Sequence, residues 1–217
     1  MNVRNTRIVM SLFGVIVCGI SIGMFKAAAL GIDPFQCLVT GTHRLFPISY
    51  GTIYIIINVV LLTFSLFTDR KNIGLATFIN LFFLGYIIDY SHSFFSMLMP
   101  STSIRARFFL LILAVIVLCF SSAFYMTAEL GISTYDAIAN VMAYKWHIAP
   151  FKYCRIATDF VCVIIGTVLF LMTGIKLSAI PTLVGLGTII TAFFMGPLIE
   201  FFNEKAARPF LSRAKNN

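Results

Sequence analysis

Arg155 and Asp159 stand four residues apart inside an apolar run, the spacing that puts a guanidinium and a carboxylate on one face of a helix. An ionisable group at membrane depth costs about 2.5–3.5 kcal/mol at a helix centre, so it normally faces a partner or a polar cavity. Two readings compete. Either Asp159 pairs with an Arg155 that reaches for the membrane surface, or both residues line a solute site. Asn58 occupies the equivalent place in an earlier apolar run, which suggests that both positions face the protein interior.

A second group of residues sits where one helix ends and another begins. Gly31-Ile32-Asp33-Pro34-Phe35-Gln36 follows the first apolar run, and Gly131-Ile132-Ser133-Thr134-Tyr135-Asp136 follows the fourth. The glycines suit a helix C-terminus with positive φ. Asp33 and Ser133 suit N-caps, and Pro34 suits the first helical turn. Gln36 and Asp136 fall three residues after the caps, the spacing of a capping box. The two short helices either lie flat at the membrane faces or dip into the bilayer. In the second case their N–H groups, with about half a positive charge, would favour an anionic group on a solute.

Lys26, in the last turns of the first run, either extends to the outer surface or turns inward to Asp33 or Asp89. Asp89 and Glu200 hold matching places near the ends of the third and sixth runs, as solvated anchors or as site residues. Glu129, beside Gly131, reads as interfacial. His43, His92 and His147 show no spacing that joins them to a metal or a proton relay, and the five cysteines form no CxxC pair. There is no Walker motif, GxSxG, HExxH or dinucleotide fingerprint. No enzyme activity, metal or cofactor is therefore expected.

These residues are carried by a chain that is 59% hydrophobic and 11% charged. Soluble domains are about 45–50% apolar and roughly 25% charged, and the excess here must face lipid. The net charge of +8 does not point to nucleic acid, because Lys and Arg fall between apolar runs and at the termini without a basic-aromatic patch. Six runs are long enough to span: 8–29, 50–68, 74–98, 108–129, 153–173 and 183–203. The capped stretches 33–47 and 133–146 are shorter and more polar. With the N-terminus inside, eleven Lys and Arg are cytoplasmic, including Lys71, Lys145, Lys152 and Lys215, against Arg44, Arg105, Arg107 and Lys176 outside. That bias places both termini in the cytoplasm.

The first run is not a cleaved signal sequence, since it recurs in mid-chain. Val15-Ile16-Val17 recurs as Val115-Ile116-Val117, and Leu30-Gly31-Ile32 as Leu130-Gly131-Ile132, both at a spacing of 100. Gly74-Leu75-Ala76-Thr77 matches Gly185-Leu186-Gly187-Thr188 at a spacing of 111, with an insertion at Gly174 to Pro181 supplying the difference. Three spans per copy is an odd number, so the copies must be inverted in the membrane, a plan found in secondary transporters with midplane sites. Gly14, Gly19 and Gly23 on the first run suit close helix packing.

The segment Ala29-Leu30-Gly31-Ile32-Asp33-Pro34-Phe35 and the Gly-x-x-Thr…Gly-x-x-Ile-Asp pattern from Gly74 to Asp89 resemble the YczE/YitT-like bacterial membrane proteins. The resemblance covers most of the chain, although Thr134 stands where the first copy has Pro34. It implies a bacterial inner-membrane location and transfers no functional residues.

The expected architecture is an all-α polytopic membrane protein of about six transmembrane helices. Two inverted three-helix repeats, 1–99 and 100–217, each carry a short capped helix after the first span, and a cytoplasmic tail ends the second. The expected activity is transport of a small polar or anionic solute by alternating access. Asp159, Arg155, Asn58, Asp33, Ser133, Asp136, Lys26 and Asp89 are the candidate site residues. The alternative is a non-catalytic scaffold, regulator or membrane subunit of a larger complex. Beyond lipid, the partners in view are a second copy or another subunit.

Overall fold

Backbone groups cannot be left unsatisfied in hydrocarbon, so apolar runs of this length become helices. The computed structural model describes residues 3–70, 73–99, 103–174 and 176–216, and over them it contains helices and no strands. Lys71, the junction at residue 100 and the side chains of Lys152 and Lys215 lie outside the described residues.

The first half comprises α1 (Val3–Ala28), α2 (Pro34–Leu45), α3 (Tyr50–Thr68) and α4 (Leu75–Ile79). A π-helical turn at Asn80–Leu84 carries α4 into α5 (Gly85–Leu98). The second half comprises α6 (Ile104–Thr127), α7 (Thr134–Asn140), α8 (Phe151–Met172), the single turn α9 (Ile180–Leu183), α10 (Leu186–Phe202) and α11 (Arg208–Asn216).

Five helical segments are long and apolar enough to cross a membrane: Val3–Ala28, Tyr50–Thr68, Ile104–Thr127, Tyr153–Met172 and Leu177–Ala214. The sixth expected span is a helical run, Leu75–Leu98, but it is not among the five. Asn80, Asp89, Ser91 and His92 dilute its apolar character. The outward faces carry large apolar side chains such as Phe67 and Met97, more than 80% exposed in the isolated chain. The expected C-terminal tail is helical over Arg208–Asn216. A π-helical turn at Asn203–Ala207 joins α10 to α11, whose Leu211 packs with Met10 of α1 and Ala123 of α6. The two ends of the chain therefore meet at one end of the bundle.

α1 and α6 form the central antiparallel pair. Arg7, early in α1, pairs with Glu129 just beyond α6 at 2.8 Å. Arg107, early in α6, donates to the carbonyls of Ala28 at 2.8 Å and Ala29 at 2.6 Å, at the end of α1. A cation there satisfies carbonyls that have no partner within the helix. Arg7 and Arg107 are separated by the 100-residue spacing.

Each half is then tied to the other by one reciprocal exchange. The carbonyl of Leu30 accepts from the N–H of Gly187 at 2.8 Å, and that of Leu130 from the N–H of Ala76 at 2.9 Å. The Thr188 hydroxyl donates to Ile32 O, and the Thr77 hydroxyl to Ile132 O, each at 2.7 Å. Leftover carbonyls at one helix end thus meet leftover N–H groups at another helix start. Gly31 and Gly131 hold φ of +96° and +107°, the conformations expected of them. A Cβ on Gly31 would stand 2.4 Å from Gly185 N, and one on Gly131 2.5 Å from Gly74 N. Side chains are therefore excluded by space as well as by φ.

Candidate functional site

The capped segments do not lie flat at opposite faces. Their first turns meet inside the bundle, where Phe35 stacks on Tyr135 with ring centroids 4.8 Å apart. Thr134 donates to Oδ1 of Asn58, near the middle of α3, at 2.5 Å. Tyr135 donates to Oδ1 of Asp159, in the middle part of α8, also at 2.5 Å. A π-helical turn at Val141–Lys145 continues α7, and there Lys145 donates to the carbonyl of Thr68 at the end of α3. α2 is drawn against α8 at Gly41 and Gly166, where a Cβ on Gly41 would fall 2.2 Å from the Gly166 carbonyl oxygen.

Both caps form as the residues dictate, but neither completes the expected capping box. Asp33 accepts from the N–H of Gln36 at 3.2 Å, and Ser133 from the N–H of Asp136 at 3.0 Å. Gln36 does not return to its cap; its amide oxygen accepts from the Tyr50 hydroxyl. Asp136 instead takes the Ser133 hydroxyl at 2.6 Å and a guanidinium N–H of Arg155. One first-turn N–H of each short helix is thus already engaged, that of Gln36 by a carboxylate and that of Asp136 by a hydroxyl oxygen.

Between these turns lies a cavity of about 610 Å³, lined by both capped segments and by α1, α3, α6, α8 and α10. This is the volume range of small-molecule sites, roughly 300–1,000 Å³. Phe35, Tyr54 and Tyr135 give it aromatic walls, and it extends towards the bundle end near Phe151, Glu200 and Asn203. Arg155 sits between two carboxylates. Its guanidinium contacts Asp136, its Nε lies 3.3 Å from Asp159 Oδ1, and its Cζ lies 4.4 Å from the Tyr135 ring centroid. Burial strengthens such contacts, because water no longer screens them. Asp159 is only 6% exposed, and no hydrogen bond reaches its Oδ2 among the described residues.

Six of the eight candidate residues line this cavity: Asp159, Arg155, Asn58, Asp33, Ser133 and Asp136. Lys26 and Asp89 do not. The Lys26 ammonium rests 3.4 Å from the centroid of the Tyr50 ring, an interaction that holds it without an acidic partner. It forms no ion pair with Asp33 or Asp89 among the described residues. Glu200 also lines the cavity and pairs with Arg208 at 3.2 Å.

Sequence reasoning did not assign roles to Phe35, Tyr54 and Tyr135. One signal was available, since Phe35 and Tyr135 both follow their caps by two residues. Among the described residues no group of three or more His, Cys, Asp and Glu side chains is arranged to hold a metal. The five cysteines are free thiols.

Comparison with known proteins finds a relative in Haemophilus influenzae, an uncharacterized protein. It is 24% identical over 199 residues, covering 91% of this chain and 83% of that protein. No solved structure matches. Neither the relative nor the matching family carries the YczE/YitT-like description. Residues 5–204, nearly the whole chain, match one family, and the chain accordingly belongs to DUF6198, a family of unknown function.

Proposed function

We propose that the chain is a small-molecule permease of the bacterial inner membrane, in which two inverted three-helix halves rock about a shared cavity. The observation that carries the reading is the cavity between the capped turns of both halves, bordered by Asp33 and Gln36 from one and by Ser133, Asp136, Arg155 and Asp159 from the other. Secondary transporters place their sites where repeats meet, with helix breaks at that level. The paired Leu30–Gly187 and Leu130–Ala76 bonds, at the sequence spacings of 100 and 111, support an inverted duplication. The antiparallel crossing of α1 and α6 supports it too.

The cavity leads towards the bundle end that holds both chain termini. If that end is cytoplasmic, as the Lys and Arg distribution argues, the conformation is inward-facing. The chain carries out no bond chemistry in this reading. The resemblance to YczE/YitT-like proteins fits it without adding a substrate.

The test is counterflow in proteoliposomes with purified protein across a panel of small metabolites. Asp159→Asn and Arg155→Ala should each lower flux of the accepted solute at least tenfold. Unchanged flux in both variants removes the site assignment. No flux of any solute, together with co-purification of a stoichiometric partner, replaces the permease reading with that of a membrane subunit or scaffold.

A further inference from the structure

The charge balance of the cavity opposes the anionic solute expected from helix N-termini alone. Its lining holds the carboxyl groups of Asp33, Asp136, Asp159 and Glu200 and one cationic side chain, Arg155. Glu200 is matched by Arg208. Arg155 alone serves both Asp136 and Asp159. Asp33 forms no ion pair among the described residues; its Oδ1 accepts from the N–H of Gln36 at 3.2 Å. With these carboxyl groups ionised, the lining carries two uncompensated negative charges.

A buried charge without a partner is strongly unfavourable, and a bound cation relieves it. The rest of the lining favours an organic cation over a metal ion. The rings of Phe35, Tyr54 and Tyr135 line the cavity and suit an apolar or aromatic body, the faces of Tyr135 itself being taken by Phe35 and Arg155. Asp159, nearly buried, offers its second carboxylate oxygen to a donor on such a ligand.

We infer that this cavity binds an organic monocation, a protonated amine on an apolar or aromatic body. The ammonium is held by Asp159 Oδ2 and Asp33, and the body lies against the Phe35–Tyr135 pair. The inference uses the cavity of the permease reading and deepens it by naming the solute class.

The test is equilibrium dialysis of the full-length protein in detergent. Radiolabelled 2-phenylethylammonium is compared with 3-phenylpropanoate, an anion of similar shape. The cation should saturate and bind at least tenfold more tightly than the anion. Asp159→Asn should remove that preference. Asp33→Asn, which keeps an N-cap residue, should weaken cation binding severalfold even if the Asp159 variant does not fold.

No saturable cation binding, an equal or reversed preference, or cation binding left unchanged by Asp33→Asn would each overturn the inference. Saturable binding of the anion alone would leave a solute cavity but remove the cation class. Cation binding without cation flux in proteoliposomes would leave the cation site standing and remove the permease reading.

Discussion

The hydroxyl of Tyr135 reaches Oδ1 of Asp159 at 2.5 Å, tying the first turn of α7 to the middle part of α8. Through the Phe35–Tyr135 stack, the same ring carries that tie across to α2. A single aromatic side chain therefore fixes the position of both capped turns relative to the one nearly buried carboxylate of the cavity.

Tyr135→Phe keeps the stack and removes the donor. Hydrogen bonds to charged groups are worth about 1.5–3 kcal/mol. The variant should fold, lose thermal stability in detergent and bind the solute more weakly. A melting midpoint equal to that of the unaltered protein would show that the bond contributes nothing.

Arg155 serves two acids, so removing it should cost more than removing one acid. Arg155→Ala strands both Asp136 and Asp159, whereas Asp136→Asn leaves Arg155 with Asp159. Breaking one side of a buried pair costs about 3–5 kcal/mol, and neighbours couple by about 0.5–3 kcal/mol. A thermal-stability double-mutant cycle should find Arg155→Ala partly rescued by Asp136→Asn. Additive losses would contradict the shared pairing.

The threonine exchange is reciprocal, so its two members should behave alike. Thr77→Val and Thr188→Val each remove one bond to a carbonyl of the opposite half, worth about 0.5–1.5 kcal/mol. Each also removes the acceptor for a glycine N–H, from Gly74 and Gly185 respectively. Both should lower thermal stability by similar amounts, with Ser substitutions recovering most of it. A loss confined to one threonine would mean that the two exchanges differ in energy despite matching in geometry.

Gly31→Ala and Gly131→Ala should both sharply reduce the yield of folded protein, measured by fluorescence-detected size exclusion. Positive φ and contacts under 3 Å leave no room for a methyl group. By contrast Gly174→Ala, at φ +74° with no atom near its Cβ, meets only the conformational cost. Its yield should stay much closer to that of the unaltered protein.

The proposed inverted arrangement makes a sidedness prediction. Reporters placed at Arg70 and at Lys176 should lie on opposite faces of the membrane. Labelling of both from one side would remove the inverted duplication and, with it, the argument for a cavity shared between halves.

Much of the chain's local structure can be read from residue order. Apolar runs of spanning length, Asp33 and Ser133 as caps, and Gly31 and Gly131 at positive φ are all short-range properties of the backbone and its nearest side chains. The recurrence at spacings of 100 and 111 is likewise visible in the residues alone. Three features needed the tertiary structure. Packing of α2 and α7 against α3 and α8 decided whether the capped segments lie flat or meet within the bundle, because an isolated amphipathic turn caps equally well in either place. Lys26 lies over Tyr50, and Asp136 joins the Arg155–Asp159 pair from a separate helix. Neither distance could be known before the chain was folded. The sign of the cavity's charge follows from such long-range pairing, since a carboxylate counts as unmatched only once every neighbour brought in by the fold has been placed.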